Sequence, residues 1–228
     1  MSRRKGPPVS EETHEMTEES GQFSPPTPKG RSTRERIKQA ATELFAERGY
    51  ANVRITDITT AADLSPGAFY RYFDDRRELM LELIREVLAE AYEFARSPMD
   101  EQSLITSVLV TTRRYFEFYE QHRALFGLML ELTQTDAEVA EVWFETQRSF
   151  YVRISRSLQR GAQRGLVRDD LDTEVAAQLL GSMSEFYAYQ RFVLGSEALL
   201  KFSVDEAARS LAEVWVNGVG AHDAKADA

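Results

Sequence analysis

The stretch LSPGAFYRYF, residues 64–73, places two tyrosine hydroxyls and a guanidinium group side by side. Tyr70 and Tyr72 can each donate a hydrogen bond to a phosphate oxygen, and Arg71 can pair with phosphate or with a guanine edge. These polar tips cannot all be buried, whereas the bracketing phenylalanines can. The stretch therefore fits a helix that presents its polar tips to phosphate, and it fits a packed aromatic helix with snorkelling tips equally well.

The residues around this stretch predict the frame that holds it. Apolar spacing and turn residues predict three short helices, at 33–48, 55–62 and 66–72. We expect Ser32 or Thr33 to cap the first helix and Ser65 to cap the third, with Pro66 at its first position. Two short helices joined by a four-residue turn and braced by a third make a helix-turn-helix, whose second helix enters the major groove of DNA.

The third helix has a predicted inner and outer side. Phe69 and Phe73 are four residues apart and should pack inward together with Leu64. That rotation turns Gly67 and Tyr70 outward. Because Gly67 has no Cβ, the backbone at this position can approach a duplex closely.

Charge is unevenly distributed along the chain. The formal net charge is −9, which argues against a protein that binds nucleic acid over its whole surface. Residues 31–77, however, hold nine basic and seven acidic groups, while the residues after 77 hold fifteen basic and twenty-five acidic groups. A mildly positive segment on an acidic body suits a protein that touches phosphate in one place, although the excess is too small to decide the matter.

Several classes of site and of location are disfavoured by composition. Cysteine is absent, and the three histidines, His14, His122 and His222, lie too far apart in sequence for a metal-ligand pattern, so we expect no cofactor. No apolar run approaches the ~20 residues that a bilayer span needs. The N-terminus lacks the apolar segment of a signal peptide. We expect a cytoplasmic protein that does not associate with membranes.

The chain divides into four predicted segments. Five of the seven prolines fall in the first thirty residues, a composition that cannot bury a core. Lys29 and Arg31 lie at the end of this tail, where they can add phosphate contacts. The predicted segments are a disordered tail at 1–31, a helix-turn-helix domain at 32–78, a second helical domain at 79–219 and a short tail at 220–228.

The remainder of the chain also shows only helical periodicity. Six further helices are predicted, from 74 or 75 to about 96 and at 101–120, 123–133, 136–164, 172–194 and 203–217. Gly165 and Gly195 stand where helices should end. The sequence therefore predicts an all-α fold of about nine helices.

Residues 34–80 resemble the DNA-binding domain of the TetR family of transcriptional regulators over their whole length. The family pattern F-x-x-x-G-[YF] occurs here as Phe45, Gly49 and Tyr50, and the pattern S-x-G-x-[LF]-Y-x-[HY]-F occurs as 65–73. The resemblance implies an N-terminal three-helix helix-turn-helix domain, joined by a fourth helix to a C-terminal ligand-binding and dimerisation domain. It also implies a protein that is not an enzyme.

By position, the resemblance implies that Ser65, Gly67, Tyr70 and Tyr72 contact DNA, mostly at phosphates. It places three further residues by the neighbouring strand: Arg54, Thr56 and Thr60. Pro66 and Arg71 complete the predicted DNA-binding set. The sequence departs from the family pattern in having Arg54 for Thr, Thr59 for Ala, Asp63 for Gly and Pro66 for Lys. With Arg54 unable to cap the second helix, we expect Thr56 to help.

The resemblance further implies a homodimeric repressor of a palindromic double-stranded DNA operator, controlled by a small molecule. Independently, helix 136–164 carries an aromatic stripe with a lone amide, Gln147, which is either bonded within the core or aimed into a cavity. The predicted ligand-binding residues are Tyr115, Phe116, Tyr119, Phe126, Met129, Trp143, Gln147, Phe150, Tyr151 and Phe186. As a set they favour a small hydrophobic or aromatic effector.

The last two predicted helices, 172–194 and 203–217, are apolar on more than one side. Helices of this kind pack both inside the subunit and across a symmetric interface. In the family, these two helices of each subunit form a four-helix bundle, and Gly181 and Ser182 would allow a close approach. The predicted interface residues are Leu179, Met183, Phe186, Gln190, Leu211 and Trp215.

Other functions remain open from the sequence alone. A transcriptional activator or an effector-independent regulator would have the same sequence features. A helical enzyme would need buried carboxylates, for which Glu131, Glu145 and Glu185 are the candidates. A helical interaction module that no longer reads DNA is disfavoured by Gly67 and its neighbouring tyrosines.

Overall fold

The computed structural model describes residues 27–94 and 104–220, and in these ranges regular structure is helical apart from an isolated bridge between Val167 and Gly220. The helices are α1 Pro28–Arg48, α2 Ile55–Ala61, α3 Pro66–Phe69, α4 Arg76–Phe94, α5 Leu104–Gln121, α6 Arg123–Leu132, α7 Ala137–Gln163, α8 Thr173–Ala188, α9 Glu197–Leu200 and α10 Val204–Val219. The predicted all-α fold is confirmed. Tails were predicted at 1–31 and 220–228, and of these residues 1–26 and 221–228 lie outside the described ranges, while 28–31 belong to α1.

The first helix begins earlier than the sequence predicted. Thr27 caps α1, since its side chain accepts a hydrogen bond from the backbone N–H of Gly30 at 3.1 Å, and Pro28 takes the first helical position. The prediction that Ser32 or Thr33 caps this helix is therefore wrong, because both lie inside it. Proline at the first position needs no donor and has a helical φ, which favours this earlier start. Lys29 and Arg31 thus belong to the first turns of α1.

Two other helices end differently from the predictions. The third helix was predicted to reach residue 72, but α3 ends at Phe69 and a turn follows it. The eighth was predicted to run to 194 without interruption, whereas α8 passes into a wider π-helical turn at Tyr189–Val193. The short helix α9 had no signal that distinguished it from a loop. Gly165 and Gly195 have φ of 73° and 63°, the left-handed conformation predicted for residues that end helices.

The first three helices enclose the start of a single buried core. Phe69 is fully buried and Phe73 nearly so, with their ring centroids 5.6 Å apart, and Leu64 packs beside them as predicted. Ile37 of α1 and Ile58 of α2 complete the contact between these helices. The aromatic residues of the opening stretch therefore hold α3 against α1 and α2.

Helix α4 is fixed to α1 by charged side chains. The guanidinium group of Arg34 makes two hydrogen bonds to the carboxylate of Glu82. The ammonium group of Lys38 is almost fully buried and lies 2.7 Å from oxygens of both Glu35 and Glu86. Burial opposes the charge of Lys38, but the hydrogen bonds to Glu35 and Glu86 outweigh it and raise the pKa of Lys38. Lys38 is therefore held between a carboxylate of its own helix, Glu35, and a carboxylate of α4, Glu86.

A second set of charge pairs fixes α4 to the start of α7. Asp136 caps α7, since its side chain accepts hydrogen bonds from the backbone N–H groups of Glu138 and Val139. The same carboxylate accepts two hydrogen bonds from Arg77 of α4, at 2.8 and 2.9 Å, and these hold its pKa below the usual value. Arg85 of α4 donates to Glu138 at 2.5 Å. The carboxylate that caps α7 therefore also binds α4.

The buried core runs without a break from α1–α3, along α4, into α5–α8. The predicted domain boundary between residues 78 and 79 falls inside α4. Because α4 packs on both sides of that boundary, the two predicted domains share one helix and one core. The boundary itself stays a prediction.

Helices α7 and α8 touch closely at Gly181. A Cβ atom placed on Gly181 would lie 2.5 Å from Cε1 of Tyr151. The glycine thus makes room within the subunit for a tyrosine ring of α7. Gly218, near the end of α10, is different, since a Cβ there would meet no atom within 4 Å.

We predict that Gly181→Ala lowers the free energy of unfolding by about 1–3 kcal/mol, because the ring of Tyr151 must shift to accept the new methyl group. Gly218→Ala is the matched control, since it makes the same change in a helix with open space. It should leave stability unchanged or raise it by up to about 1 kcal/mol. Urea denaturation followed by circular dichroism measures both. Equal effects of the two substitutions would contradict the close contact at Gly181.

Candidate functional site

The turn between α2 and α3 is held by the backbone and by one arginine of α1. Asp63 takes a left-handed conformation with φ of 52°, at the position where the family pattern has glycine. The backbone N–H of Leu64 donates to the carbonyl of Thr59 at 2.8 Å, which closes the turn. Arg36 donates to the carbonyl of Ala62. Helix α3 is therefore presented at a fixed angle to α2.

The cap of α2 comes from a residue that the sequence analysis did not select. The side chain of Asp57 accepts a hydrogen bond from the backbone N–H of Arg54 at 2.7 Å. The prediction that Thr56 helps to cap this helix is wrong. A carboxylate three residues after the N-cap residue is a recognisable capping signal, and it could have identified Asp57. Because Asp57 supplies the cap, the Arg54 side chain is not needed to cap α2.

All the residues predicted to bind DNA lie at the surface of α2, α3 and the turn after α3. Tyr72 is half-buried, and the others are exposed: Arg54, Thr56, Thr60, Ser65, Pro66, Gly67, Tyr70 and Arg71. Ser65 occupies the N-cap position of α3 but its side chain makes no capping hydrogen bond, so the prediction that its hydroxyl caps the helix is wrong. Tyr70 is 59% exposed although its neighbour Phe69 is fully buried.

Two cations of this surface are available for phosphate. Arg54 and Arg71 are exposed, and neither has an acidic side chain within 4 Å in residues 27–94 or 104–220. The guanidinium carbon of Arg71 lies 6.0 Å from the ring centroid of Tyr72. By contrast, Arg76 is committed to the backbone carbonyls of Tyr50 and Val53. We define residues 65–72 together with Arg54, Thr56 and Thr60 as the recognition surface.

A cavity lies between α4, α5, α6, α7 and α8, and we call it the aromatic cavity. Its free volume is small, about 40 Å³. Its lining residues are Leu88, Ala91, Tyr115, Phe126, Trp143, Thr146, Gln147, Phe150, Tyr151, Gly181 and Glu185. A volume of this size holds one to a few water molecules, so side chains fill most of the space that a ligand would need.

A wider, more open groove adjoins the aromatic cavity, and we call it the outer groove. It has a volume of about 410 Å³ and is lined by Leu130, Thr133, Gln134, Trp143, Phe144, Gln147, Ser182, Glu185, Phe186 and Tyr189. Trp143, Gln147 and Glu185 border both spaces. These three side chains therefore stand between the inner cavity and the outside.

The predicted ligand-binding set divides between the cavity, the groove and the core. Tyr115, Phe126, Trp143, Gln147, Phe150 and Tyr151 line the aromatic cavity, and Phe186 lines only the outer groove. Phe116, Tyr119 and Met129 line neither and are completely buried, so their assignment to the cavity is not supported. The reason is packing, since Tyr119 stacks on Phe126 at 4.0 Å and Phe116 stacks on Tyr187 at 5.2 Å.

Five lining residues had not been selected as ligand-binding: Leu88, Ala91, Thr146, Gly181 and Glu185. Leu88 and Ala91 belong to α4, where their spacing looks like that of any core residue. Glu185 was noted only as a possible catalytic carboxylate. No sequence signal marked these residues as a set, because they come from three different helices.

The carboxylate of Glu185 has an unusual environment. Gln147 donates a hydrogen bond to Glu185 Oε2 at 2.8 Å. Burial raises the pKa of Glu185 to about 7, and the hydrogen bond from Gln147 only partly offsets this. Glu131 and Glu145, the other candidates for acid–base chemistry, are both exposed. Glu185 thus has no second carboxylate beside it with which to work as an acid–base pair.

Helix α8 carries an exposed apolar stripe. Its members lie three or four residues apart, and we call them the α8 stripe: Val175, Leu179, Met183 and Phe186. Gln190 is half-buried in the π-helical turn that follows. On α10, Leu211 is buried and Trp215 packs against the same core, so the assignment of Leu211 to a subunit interface is not supported. The exposed apolar residue of α10 is Val214.

The described residues show neither a membrane span nor a metal-binding cluster. No helix among them is long and apolar enough to cross a membrane. Within the same ranges, no three histidine or acidic side chains are grouped so that they would hold a metal ion.

The chain matches two protein-family models. Residues 37–83 match the bacterial regulatory proteins of the tetR family, and residues 108–221, half of the chain, match the C-terminal domain of the transcriptional regulator EthR. The first match covers α2, α3 and the whole recognition surface. The second covers most of the helices that enclose the aromatic cavity.

Individual relatives are regulators as well. The fatty acid metabolism regulator protein of Bacillus subtilis is 23% identical over 186 residues, which are 80% of this chain and 93% of that protein. EthR of Mycobacterium tuberculosis is 26% identical over 192 residues, 80% of this chain and 85% of that protein. The structure of SmeT in complex with triclosan has the same fold, with a TM-score of 0.70 and 18% identity over 85% of this chain and 93% of that one.

TetR regulators bind DNA through a helix-turn-helix and respond to small molecules through the C-terminal domain, and they are not enzymes. The recognition surface and the aromatic cavity stand in those two regions. The chain therefore belongs to the TetR family of transcriptional regulators.

Proposed function

We propose that this chain is a ligand-responsive transcriptional repressor, which binds a palindromic operator as a homodimer in the cytoplasm and is released by a small hydrophobic or aromatic effector. The proposal rests on the observation that one helix, α4, connects the recognition surface to the aromatic cavity. Helix α4 follows the recognition surface directly, and its Leu88 and Ala91 form part of the wall of the aromatic cavity.

Phosphate contacts supply the affinity of the proposed DNA complex. Phosphate oxygens can accept hydrogen bonds from the exposed hydroxyls of Ser65 and Tyr70. They can also bind the exposed guanidinium groups of Arg54 and Arg71, which form no ion pair among the described residues. Gly67 has no neighbour within 4 Å of where a Cβ would stand, so its surface is open to a close-lying backbone. Because most of these groups read phosphate rather than base edges, binding should depend strongly on salt.

Dimerisation is proposed to use the α8 stripe. An exposed run of apolar side chains along one helix face is typical of a protein interface rather than of a solvated surface. A two-fold dimer through α8 would present two recognition surfaces, which is what a palindromic operator requires.

Release is proposed to work through the fixed link between the cavity and α4. The cavity has about 40 Å³ of free space, so an effector must push its walls apart. The walls include α4, and α4 is tied to the cap of α7 by Arg77 and to α1 by Lys38. A displacement of α4 would therefore move α1 and the recognition surface as one body, and DNA and effector would each weaken the binding of the other by the same factor.

The proposal is tested by footprinting the purified full-length chain on genomic DNA at low salt, followed by release assays with small hydrophobic compounds. We expect protection of a palindromic site and its loss on addition of an effector. Failure to protect any site at low salt would contradict a DNA-binding role. Protection that leads to increased transcription in a reconstituted assay would contradict repression.

We predict that Tyr70→Phe weakens binding to every DNA sequence by a similar factor of roughly 10 to 100 per dimer, since each subunit loses one hydrogen bond to phosphate. Fluorescence anisotropy with the operator and with unrelated duplexes measures this. Tyr187→Phe, which removes a hydroxyl from a residue packed against Phe116 in the C-terminal region, is the control and should leave DNA binding unchanged. A change in base preference on Tyr70→Phe would show that the phosphate role is wrong.

We predict that the wild-type chain is a dimer and that Leu179→Asp is monomeric, because a carboxylate would be buried at the centre of the α8 stripe. Leu179 is 67% exposed in the single chain, so the substitution should not unfold the subunit. Val110→Asp is the control, since Val110 is an exposed apolar residue of α5. Sedimentation analysis distinguishes the species. A dimer that survives Leu179→Asp would place the interface elsewhere.

A further inference from the structure

Among the described residues, Glu185 is the only carboxylate that lines the aromatic cavity. Within the same ranges, no lysine, arginine or histidine lines either the aromatic cavity or the outer groove. Within the described parts of the chain, Glu185 makes no ion pair and its only hydrogen bond is the one that Gln147 donates to Oε2. Its second oxygen, Oε1, accepts no hydrogen bond from any described residue. An uncompensated carboxylate in a half-buried position is costly, and proteins usually pair or neutralise it.

The groups that face Glu185 from the neighbouring helices do not supply a positive charge. Tyr115 and Tyr119 of α5 and Tyr151 of α7 are close enough to feel the carboxylate, which raises the pKa of each phenol further after burial has already raised it. All three are therefore neutral across the physiological range. Gln147 of α7 is neutral at every pH. Among the described residues, none supplies a positive charge that would balance the ionised form of Glu185.

The remaining walls of the cavity suit a cation with an apolar body. Five aromatic side chains line it: Tyr115, Phe126, Trp143, Phe150 and Tyr151. The rings of Tyr115 and Phe150 are stacked, with centroids 6.3 Å apart. The faces of aromatic rings attract cations, and Trp does so best, so rings around a lone carboxylate are a recognised way to hold an organic ammonium group.

We propose that the aromatic cavity binds an organic cation, a quaternary ammonium ion or a protonated amine with an apolar body, whose charged end pairs with Glu185 between Trp143 and Gln147. This inference rests on the proposed function and names the chemical class of its effector. A neutral ligand would leave the carboxylate uncompensated. An anionic ligand would be repelled by it.

The position of Glu185 also gives the cation a route. Trp143, Gln147 and Glu185 border both the aromatic cavity and the outer groove. A charged group can therefore reach Glu185 from the outer groove along its polar side chains, which include Gln134, Ser182 and Gln147. Its apolar body then enters the inner cavity, where it displaces side chains towards Leu88 and Ala91 of α4.

The test compares three probes of nearly equal size on the purified full-length chain without DNA. They are benzyltrimethylammonium, its uncharged carbon analogue neopentylbenzene, and the anion phenylacetate. Trp143 lines the cavity, so tryptophan fluorescence reports binding, and calorimetry gives the affinity. We expect the cation to bind at least about tenfold more tightly than the other two probes.

The decisive variant is Glu185→Gln, which keeps the size of the side chain and can still hydrogen-bond Gln147. It should lower affinity for the cation by about tenfold or more and leave neopentylbenzene unaffected. Glu174→Gln is the matched control, because it makes the same charge change at an exposed position of α8. It should bind the cation like the wild type. Circular dichroism confirms that both variants fold.

The pH dependence provides a second readout. The probe is permanently charged, so only the protein titrates. Cation affinity of the wild type should rise from about pH 5 and level off above about pH 7, as Glu185 ionises. In Glu185→Gln the profile should be flat across this range.

Equal binding of the three probes, no binding of the cation, or an unchanged cation affinity in Glu185→Gln would each overturn the inference. Release of operator DNA is measured separately with the same probe. Cation binding that depends on Glu185 but does not release DNA would support the ligand class and contradict the proposed release mechanism. Release of DNA by other compounds, with no binding of the cation, would support the release mechanism and contradict the ligand class.

Discussion

The charged contacts of α4 are the constraint on which the rest of the molecule depends. On one side, the nearly buried ammonium group of Lys38 joins α1 to Glu86 of α4. On the other side, Arg77 of α4 binds Asp136, which is also the cap of α7. Exposed single ion pairs contribute little to stability, and the side chains of Glu86 and Arg77 are both about half exposed. The link to α1 also includes Arg34 and Glu82, whose side chains are only 20% and 21% exposed, so it is the better shielded of the two links.

This asymmetry explains how one helix can serve both regions. The apolar face of α4 continues the core of α1–α3 and then forms part of the wall of the aromatic cavity at Leu88 and Ala91. Close-packed interiors transmit displacement instead of absorbing it. Because Lys38 and Arg34 join α1 to α4, the proposed movement of the cavity wall would be carried towards the recognition surface. The surface would move as a unit, since Phe69 and Phe73 pack α3 against α1 and α2.

The sequence predicted which side of α3 is buried and which is exposed, because the determinants of this choice are local. The spacing of Phe69 and Phe73 fixes which side of α3 is buried, and Asp63 sits at the turn because it tolerates the left-handed conformation. The cavity was predicted less well because its walls depend on how helices rotate against one another. Tyr115 and Phe116 are adjacent, about 100° apart on α5, yet one lines the cavity and the other is core. Packing against α6 and α8 determines which of the two residues is buried in the core, and the local sequence of α5 does not indicate it.

The buried carboxyl group of Glu185 makes the stability of the fold depend on pH. The pKa of its carboxyl group is about 7 in the folded chain, against 4.5 for an unburied glutamate. The folded state therefore holds the proton more firmly than the unfolded state does. The contribution of this group to the free energy of unfolding is fully present below the pKa of the unfolded state. It is lost as pH rises through the pKa of the folded state, by up to about 1.4 kcal/mol per pH unit. Above the folded pKa, the ionised carboxylate therefore lowers the free energy of unfolding, and it does so in a cavity bounded by α4. Under the proposal that an organic cation pairs with Glu185, binding would favour the ionised form and would offset this cost.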